Sequence, residues 1–303
     1  FIILHMRKIV YMALLGFSFS SLVCAQSISG EKAGRHAQVI DDGIRFCEST
    51  YPYEGGILIA NFGTGQLNPL NTEGKGYILY YKDGKIRPFI PADGNLSAPK
   101  GMFVRENHLF VCDVNKVVVY DLEHLEEAPQ ILAFPEGDLF VNDLAAIGNT
   151  LYASVTNTDK IYRIDISDVR KVGSPVEWLS VPGPNGLLAA GDMLYVASYP
   201  ADGNTQPKHV IYRITTLSDP KMEAVIETPG QYDGIAFSSD KKSLYITNWT
   251  PAGLGKVDLK TGKVVPVSLS LEKELAGPAD ITVTDGQIYI PDLPNSRVVR
   301  VDE

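Results

Sequence analysis

One strand-turn-strand pattern recurs six times along the chain, at intervals of 46, 42, 43, 48 and 46 residues. No other feature limits the possible folds as tightly. Each block opens on a tripeptide: Glu54-Gly55-Gly56, Lys100-Gly101-Met102, Asn142-Asp143-Leu144, Asn185-Gly186-Leu187, Asp233-Gly234-Ile235 and Ala279-Asp280-Ile281. A turn and a second strand of one type follow, as in residues 109–112, 151–154, 194–197, 244–247 and 288–291. In the first block the two strands are harder to separate, and residues 57–60 match the second type. A third strand comes next, and a fourth ends just before the next opening tripeptide, as in 88–90, 131–134, 178–181, 224–227 and 264–267. Four strands in a unit of about 45 residues are the dimensions of a propeller blade. The expectation is an all-β, six-bladed β-propeller with four antiparallel strands per blade. A β-sandwich would not require such regular spacing. The last block ends at Val301 with three strands, and residues 36–40 stand before the first block as a fourth strand should. An N-terminal strand completing the last blade closes the ring and hides two sheet edges.

In a propeller the first strand of each blade lines the central channel, so the opening residues form a ring at one mouth. That ring reads Glu54, Lys100, Asn142, Asn185, Asp233, Ala279. The ends of the antiparallel second strands add Asn61, Asp113, Val155, Ser198, Asn248 and Asp292 at the same mouth. Carboxylates and amide carbonyls are hard oxygen ligands, which suit Ca²⁺, Mg²⁺ or Mn²⁺ with water completing the shell. Glu54, Asn185 and Asp233 are the expected metal ligands, because unlike acceptors replace one another at one repeat position. Asp143, Asp280 and Asp292 read instead as carboxylates accepting backbone N–H groups. Asp or Asn before Gly is also a common turn signal. Lys100 could hold an anionic substrate group or pair with Glu54. No His falls in the ring, which argues against a Ser-His-Asp site and against a His-rich zinc or copper site.

The formal charge is -9, with no cluster of Lys and Arg. Phosphate binding needs a basic stripe, so nucleic acid is not an expected partner. Arg7 and Lys8, the apolar run 9–19 and the small residues up to Ala25 have the layout of a secretory signal. Cleavage after Ala25 would leave residues 26–303 as one propeller domain, periplasmic or secreted, with Phe1 to His5 upstream of a start at Met6. Lipidation at Cys24 is the rival reading, and its flanking residues fit it poorly. The run is short for a membrane span, and no other segment could cross a membrane. A monomer is expected. Cys47 and Cys112 would remain, either paired or simply buried.

The segments GPNGLLAAGDMLYVASY (183–199), YDGIAFSSDKKSLYITNW (232–249) and VNDLAAIGNTLYAS (141–154) resemble the family of senescence marker protein, gluconolactonase and luciferin-regenerating enzyme. The resemblance covers residues 50–300 in outline. It implies an axial divalent ion held by a Glu opening the first blade, an Asn in Pro-Asn-Gly and an Asp in Asp-Gly. Glu54, Asn185 and Asp233 stand at those positions, and Asn142 matches a further Asn near the substrate. The family's Gly-Glu-Gly-Pro is here Tyr53-Glu54-Gly55-Gly56, and its substrate loops are not recognisable.

Together these readings predict a metal-dependent hydrolase opening a sugar lactone or related ester. The ion is Ca²⁺ first, with Mg²⁺, Mn²⁺ or Zn²⁺ as alternatives. Asp233 would take a proton from the attacking water, and Asn142 and Lys100 would orient the substrate. Two rivals share the fold: a non-enzymatic propeller, like the NHL-repeat type, binding a sugar, peptide or protein at the same mouth, and a lyase with a different axial set.

Overall fold

Each repeat holds a strand buried on both faces, and that demand dictates the architecture. Runs such as Ile57 to Ala60, Leu109 to Cys112 and Val117 to Tyr120 are buried throughout. Side chains alternate faces along a strand, so a continuous apolar run needs a neighbouring sheet on each side. In blade 1, Leu58 and Ala60 pack with Met102, Leu109 and Val111 of blade 2. Ile57 and Ile59 point the other way, into a cluster with Tyr289 and Val298 of the last blade. The core is therefore annular, made of clusters that each bridge adjacent blades.

The computed structural model describes residues 34–216 and 218–303. The expected signal segment and Cys24 lie outside the described residues. Six sheets follow in chain order. Their innermost strands are Cys47–Tyr53, Pro99–Arg105, Val141–Ile147, Pro184–Ala190, Tyr232–Phe237 and Thr282–Thr284. In the first five sheets the remaining strands follow outward as a meander. The last blade is completed by Arg35–Ile40, which runs antiparallel to Arg297–Asp302, with Ala37 opposite Val301 and Ile40 opposite Val298. A short fifth strand, Leu269–Ser270, adds to its outer edge in parallel. The fold is thus the six-bladed propeller that the repeat predicts, closed by the N-terminal strand.

Five of the six opening tripeptides lie where the inner strand begins, and they are not turns. In blades 2 to 5 the pairing skips two residues against one: Pro99 pairs Asp113 and Met102 pairs Val111, leaving Lys100 and Gly101 in a bulge. Asn142-Asp143, Asn185-Gly186 and Asp233-Gly234 bulge alike. The glycines meet a packing need: inner strands crowd together near the axis, and a Cβ on Gly234 would lie 2.5 Å from Ile281 N and 2.6 Å from Ala279 O. Asp143 has its room because Gly101 precedes it in the neighbouring blade, where a Cβ would lie 2.2 Å from Asp143 Oδ1; Asp143 in turn accepts a hydrogen bond from Leu187 N at 2.7 Å.

Among the described residues no helix is long and apolar enough to cross a membrane. Cys47 and Cys112 are free, buried thiols. Burial pushes both thiols well up from the ordinary range, so neither is held as a reactive thiolate.

Candidate functional site

The bulge places one side chain from each blade at the same mouth of the channel. Counting from the paired ends, the six positions are Glu48, Lys100, Asn142, Asn185, Asp233 and Ala279. All six are buried. The first member corrects the expected Glu54. Cys47 pairs with Asn61 as Pro99 pairs with Asp113, and Thr50 pairs with Ile59 as Met102 pairs with Val111. Glu48 therefore occupies the bulge. Glu54 sits at the opposite end of the same strand, exposed in the two-residue turn that links Tyr53 to Gly56. Glu54 and Gly55 both have positive φ, 46° and 75°, as a tight hairpin requires. Six residues of strand span about 20 Å, so Glu54 cannot share a ligand with Asn185 and Asp233. The Glu54 carbonyl accepts from Lys82 Nζ at 2.9 Å, a surface contact.

A countable signal in the sequence leads to Glu48. The end of the second strand lies thirteen residues after the ring residue in four blades: Lys100 to Asp113, Asn142 to Val155, Asn185 to Ser198 and Ala279 to Asp292. The same count back from Asn61 reaches Glu48. The Gly beside Glu54 and the Ser beside Glu48 obscure it. Ser49 carries a side chain where three of the other blades have Gly, and its hydroxyl donates to Asp280 Oδ2 at 2.8 Å.

The ring gathers oxygen atoms that nothing in the protein satisfies. Seven buried side-chain polar atoms have no hydrogen-bond partner among the described residues. Three are hydroxyls elsewhere. The other four are Glu48 Oε2, Asn142 Oδ1, Asn185 Oδ1 and Asp233 Oδ1, one from each of four ring positions. A buried acceptor without a donor costs about 1–3 kcal/mol, and more if charged. Four at equivalent places around one axis are the chemistry of an oxygen-donor cation cradle. Among the described residues no group of three or more His, Cys, Asp and Glu could share a metal; this set combines two carboxylates with two amides.

Electrostatics follow from that burial. Burial holds the Asp233 carboxyl at about 7, against the lowering effect of Trp249, whose Nε1 donates to Asp233 Oδ2 at 2.8 Å. Burial, and then the charge of Asp233, raises Glu48 well above the carboxylate range. Lys100 is lowered by burial and partly restored by Glu48. Its ammonium donates to Ala98 O at 2.9 Å and Pro69 O at 3.2 Å, with the rings of Phe62 and Phe140 5.5 and 5.9 Å away. Lys100 thus makes no ion pair with Glu54.

The second ring of oxygens is already committed. Asp113 accepts from Ser97 N and Ala98 N, Asn61 from Arg45 N, and Asn248 from Gln231 N. Asp292 accepts from Ala276 N, Gly277 N and Arg297 Nε. These side chains fasten the segments that enter four of the six inner strands. Below the ring a cavity of about 380 Å³ is bounded by all six inner strands, with Asp143 and Asp280 in its wall.

No family model and no curated protein matches the sequence. Solved structures do match. A gluconolactonase from Xanthomonas campestris superposes with a TM-score of 0.65 at 13% identity, covering 88% of each chain. The fold is that of the gluconolactonase propellers. A streptogramin B lyase also superposes, with a TM-score of 0.59 at 16% identity, covering 89% of this chain and 98% of that one. So does a catalytically inactive His-to-Ala variant of virginiamycin B lyase from Staphylococcus aureus with quinupristin, at 0.58 and 16%, covering 88% and 99%. At these identities the likeness to gluconolactonases and lyases alike is one of fold. The side chains at the mouth must distinguish them, and the ring of this gluconolactonase-like propeller holds no His.

Proposed function

We propose that the protein is an exported, divalent-metal-dependent hydrolase of lactones or related esters. The observation that carries this reading is the set of four unpartnered buried oxygens on Glu48, Asn142, Asn185 and Asp233. Hard oxygen donors of this kind suit Ca²⁺, with Mg²⁺, Mn²⁺ or Zn²⁺ as alternatives. A cation bound there would polarise a carbonyl and stabilise its developing oxyanion.

The chain's own residues do the rest. Trp249 fixes Asp233 through Oδ2 and leaves Oδ1 free. The free Oδ1 faces the ring, where it can take a proton from the attacking water. Lys100 spends two of its three N–H donors on Ala98 and Pro69; the third orients a substrate oxygen. Asn142 offers its amide on the side of the ring next to Lys100. The lyase reading is less well supported: on this face His209 lies in the segment before the strand Ile211–Thr215, with its Nδ1 bonded to Gln206 N at 2.9 Å.

The test pairs calorimetric titration of Ca²⁺ with a lactone and ester panel. Glu48→Gln and Asp233→Ala are expected to lose both ion binding and turnover. Glu54→Gln is expected to retain both. Full lactone turnover by Asp233→Ala sinks the mechanism, and ion binding without turnover of any lactone or ester favours a non-enzymatic binding propeller.

A further inference from the structure

We infer that the substrate carries an apolar substituent on its lactone or ester, and is not a polyhydroxylated sugar lactone. This rests on reading the ring as a lactone site. The argument comes from what surrounds the ring. Nine large hydrophobic residues are exposed among the described residues, and three of them, Leu67, Leu70 and Leu139, flank the Lys100 position. Leu67 and Leu70 lie on either side of Pro69, whose carbonyl accepts from Lys100. Leu139 precedes Phe140, whose ring lies beside the same ammonium.

On the other side of the mouth the Trp249 indole reaches Asp233, with Tyr199 packed edge-on against it at 6.4 Å between ring centroids. Phe62, Ala98, Ala279 and Leu293 form a buried apolar cluster at this end of the channel, with Trp249 packed on it. Exposed leucines beside the Lys100 ammonium, with Trp249 on the other side of the ring, offer apolar surface that a substrate substituent can cover.

Apart from Lys100 and Asn142, which orient the lactone group itself, several polar side chains at this end of the channel are already occupied. Asn61, Asp113, Asn248 and Asp292 hold backbone N–H groups. Asn157 accepts from Leu139 N and Phe140 N, and Gln231 donates to Gly203 O. A polyol placed against this surface would lose water from several hydroxyls without regaining hydrogen bonds. An alkyl or aryl substituent would instead bury apolar surface against leucine and aromatic rings.

The test uses one reacting group throughout: δ-lactones bearing methyl, propyl, pentyl and heptyl substituents, against glucono-1,5-lactone, with the full protein in Ca²⁺. The expected result is that kcat/KM rises with chain length, up to about fourfold per methylene over the first few, and that glucono-1,5-lactone falls below every alkyl lactone. Leu70→Ser and Leu139→Ser should each flatten the dependence on chain length. A preference for glucono-1,5-lactone, or a slope unchanged in both Ser variants, overturns this inference and leaves lactone hydrolysis standing. Turnover of neither class overturns both.

Discussion

Replacing Asp233 by Asn should stabilise the metal-free protein at alkaline pH. Asp233 is buried, one of its oxygens has no partner, and its pKa lies at about 7 instead of the ordinary 3.8. Between those values the folded protein holds a proton that the unfolded chain has released. Stability therefore falls as pH rises from about 4 to about 7, and stays low above that. The gap corresponds to about 4 kcal/mol. Asn keeps an acceptor for the Trp249 indole and carries no charge, so it avoids the cost. In a domain of this size about 4 kcal/mol moves Tm by roughly 8 °C. Calorimetry in EDTA should find Asp233→Asn and wild type alike at pH 4, and the variant melting higher at pH 8. Saturating Ca²⁺ at a hundredfold excess over Kd should restore about 2.7 kcal/mol to the wild type and much less to the variant. If the Asn variant in EDTA melts no higher than wild type at pH 8, Asp233 is not a strained, cation-awaiting carboxylate, and the site assignment loses its energetic basis.

Three further outcomes follow from the geometry. Gly234→Ala should destabilise by about 1–3 kcal/mol, read from the urea midpoint, because the new Cβ meets backbone atoms of the next blade that cannot move aside. Asp113→Ala should cost about 2–4 kcal/mol in the same assay, since it strands the buried N–H groups of Ser97 and Ala98. Trp249→Phe keeps an aromatic wall and loses the donor that lowers Asp233, so the acid limb of the kcat/KM profile should shift to higher pH.

The sequence by itself determined the ring of six sheets, its closure by the strand before blade 1, and three of the four unpartnered oxygens. Those features are periodic: a strand buried on both faces, a turn and a bulge recur at a countable spacing, and Asn142, Asn185 and Asp233 can be read by register alone. Only the tertiary structure decided the fourth. Glu54-Gly55-Gly56 looks like the Asp-Gly and Asn-Gly openings because glycine serves two needs that a sequence writes identically. In the hairpin at Glu54 it supplies positive φ; at Gly101, Gly186 and Gly234 it lets one inner strand touch the next. The first need is local. The second depends on how closely the neighbouring blade approaches, which no local pattern states, and Ser49 stands where its counterparts are Gly or Asp. Tertiary contacts also separate the two rings of oxygens: Asn61, Asp113 and Asp292 find backbone donors in the segment entering their own blade, and Glu48, Asn142, Asn185 and Asp233 keep an oxygen that finds none.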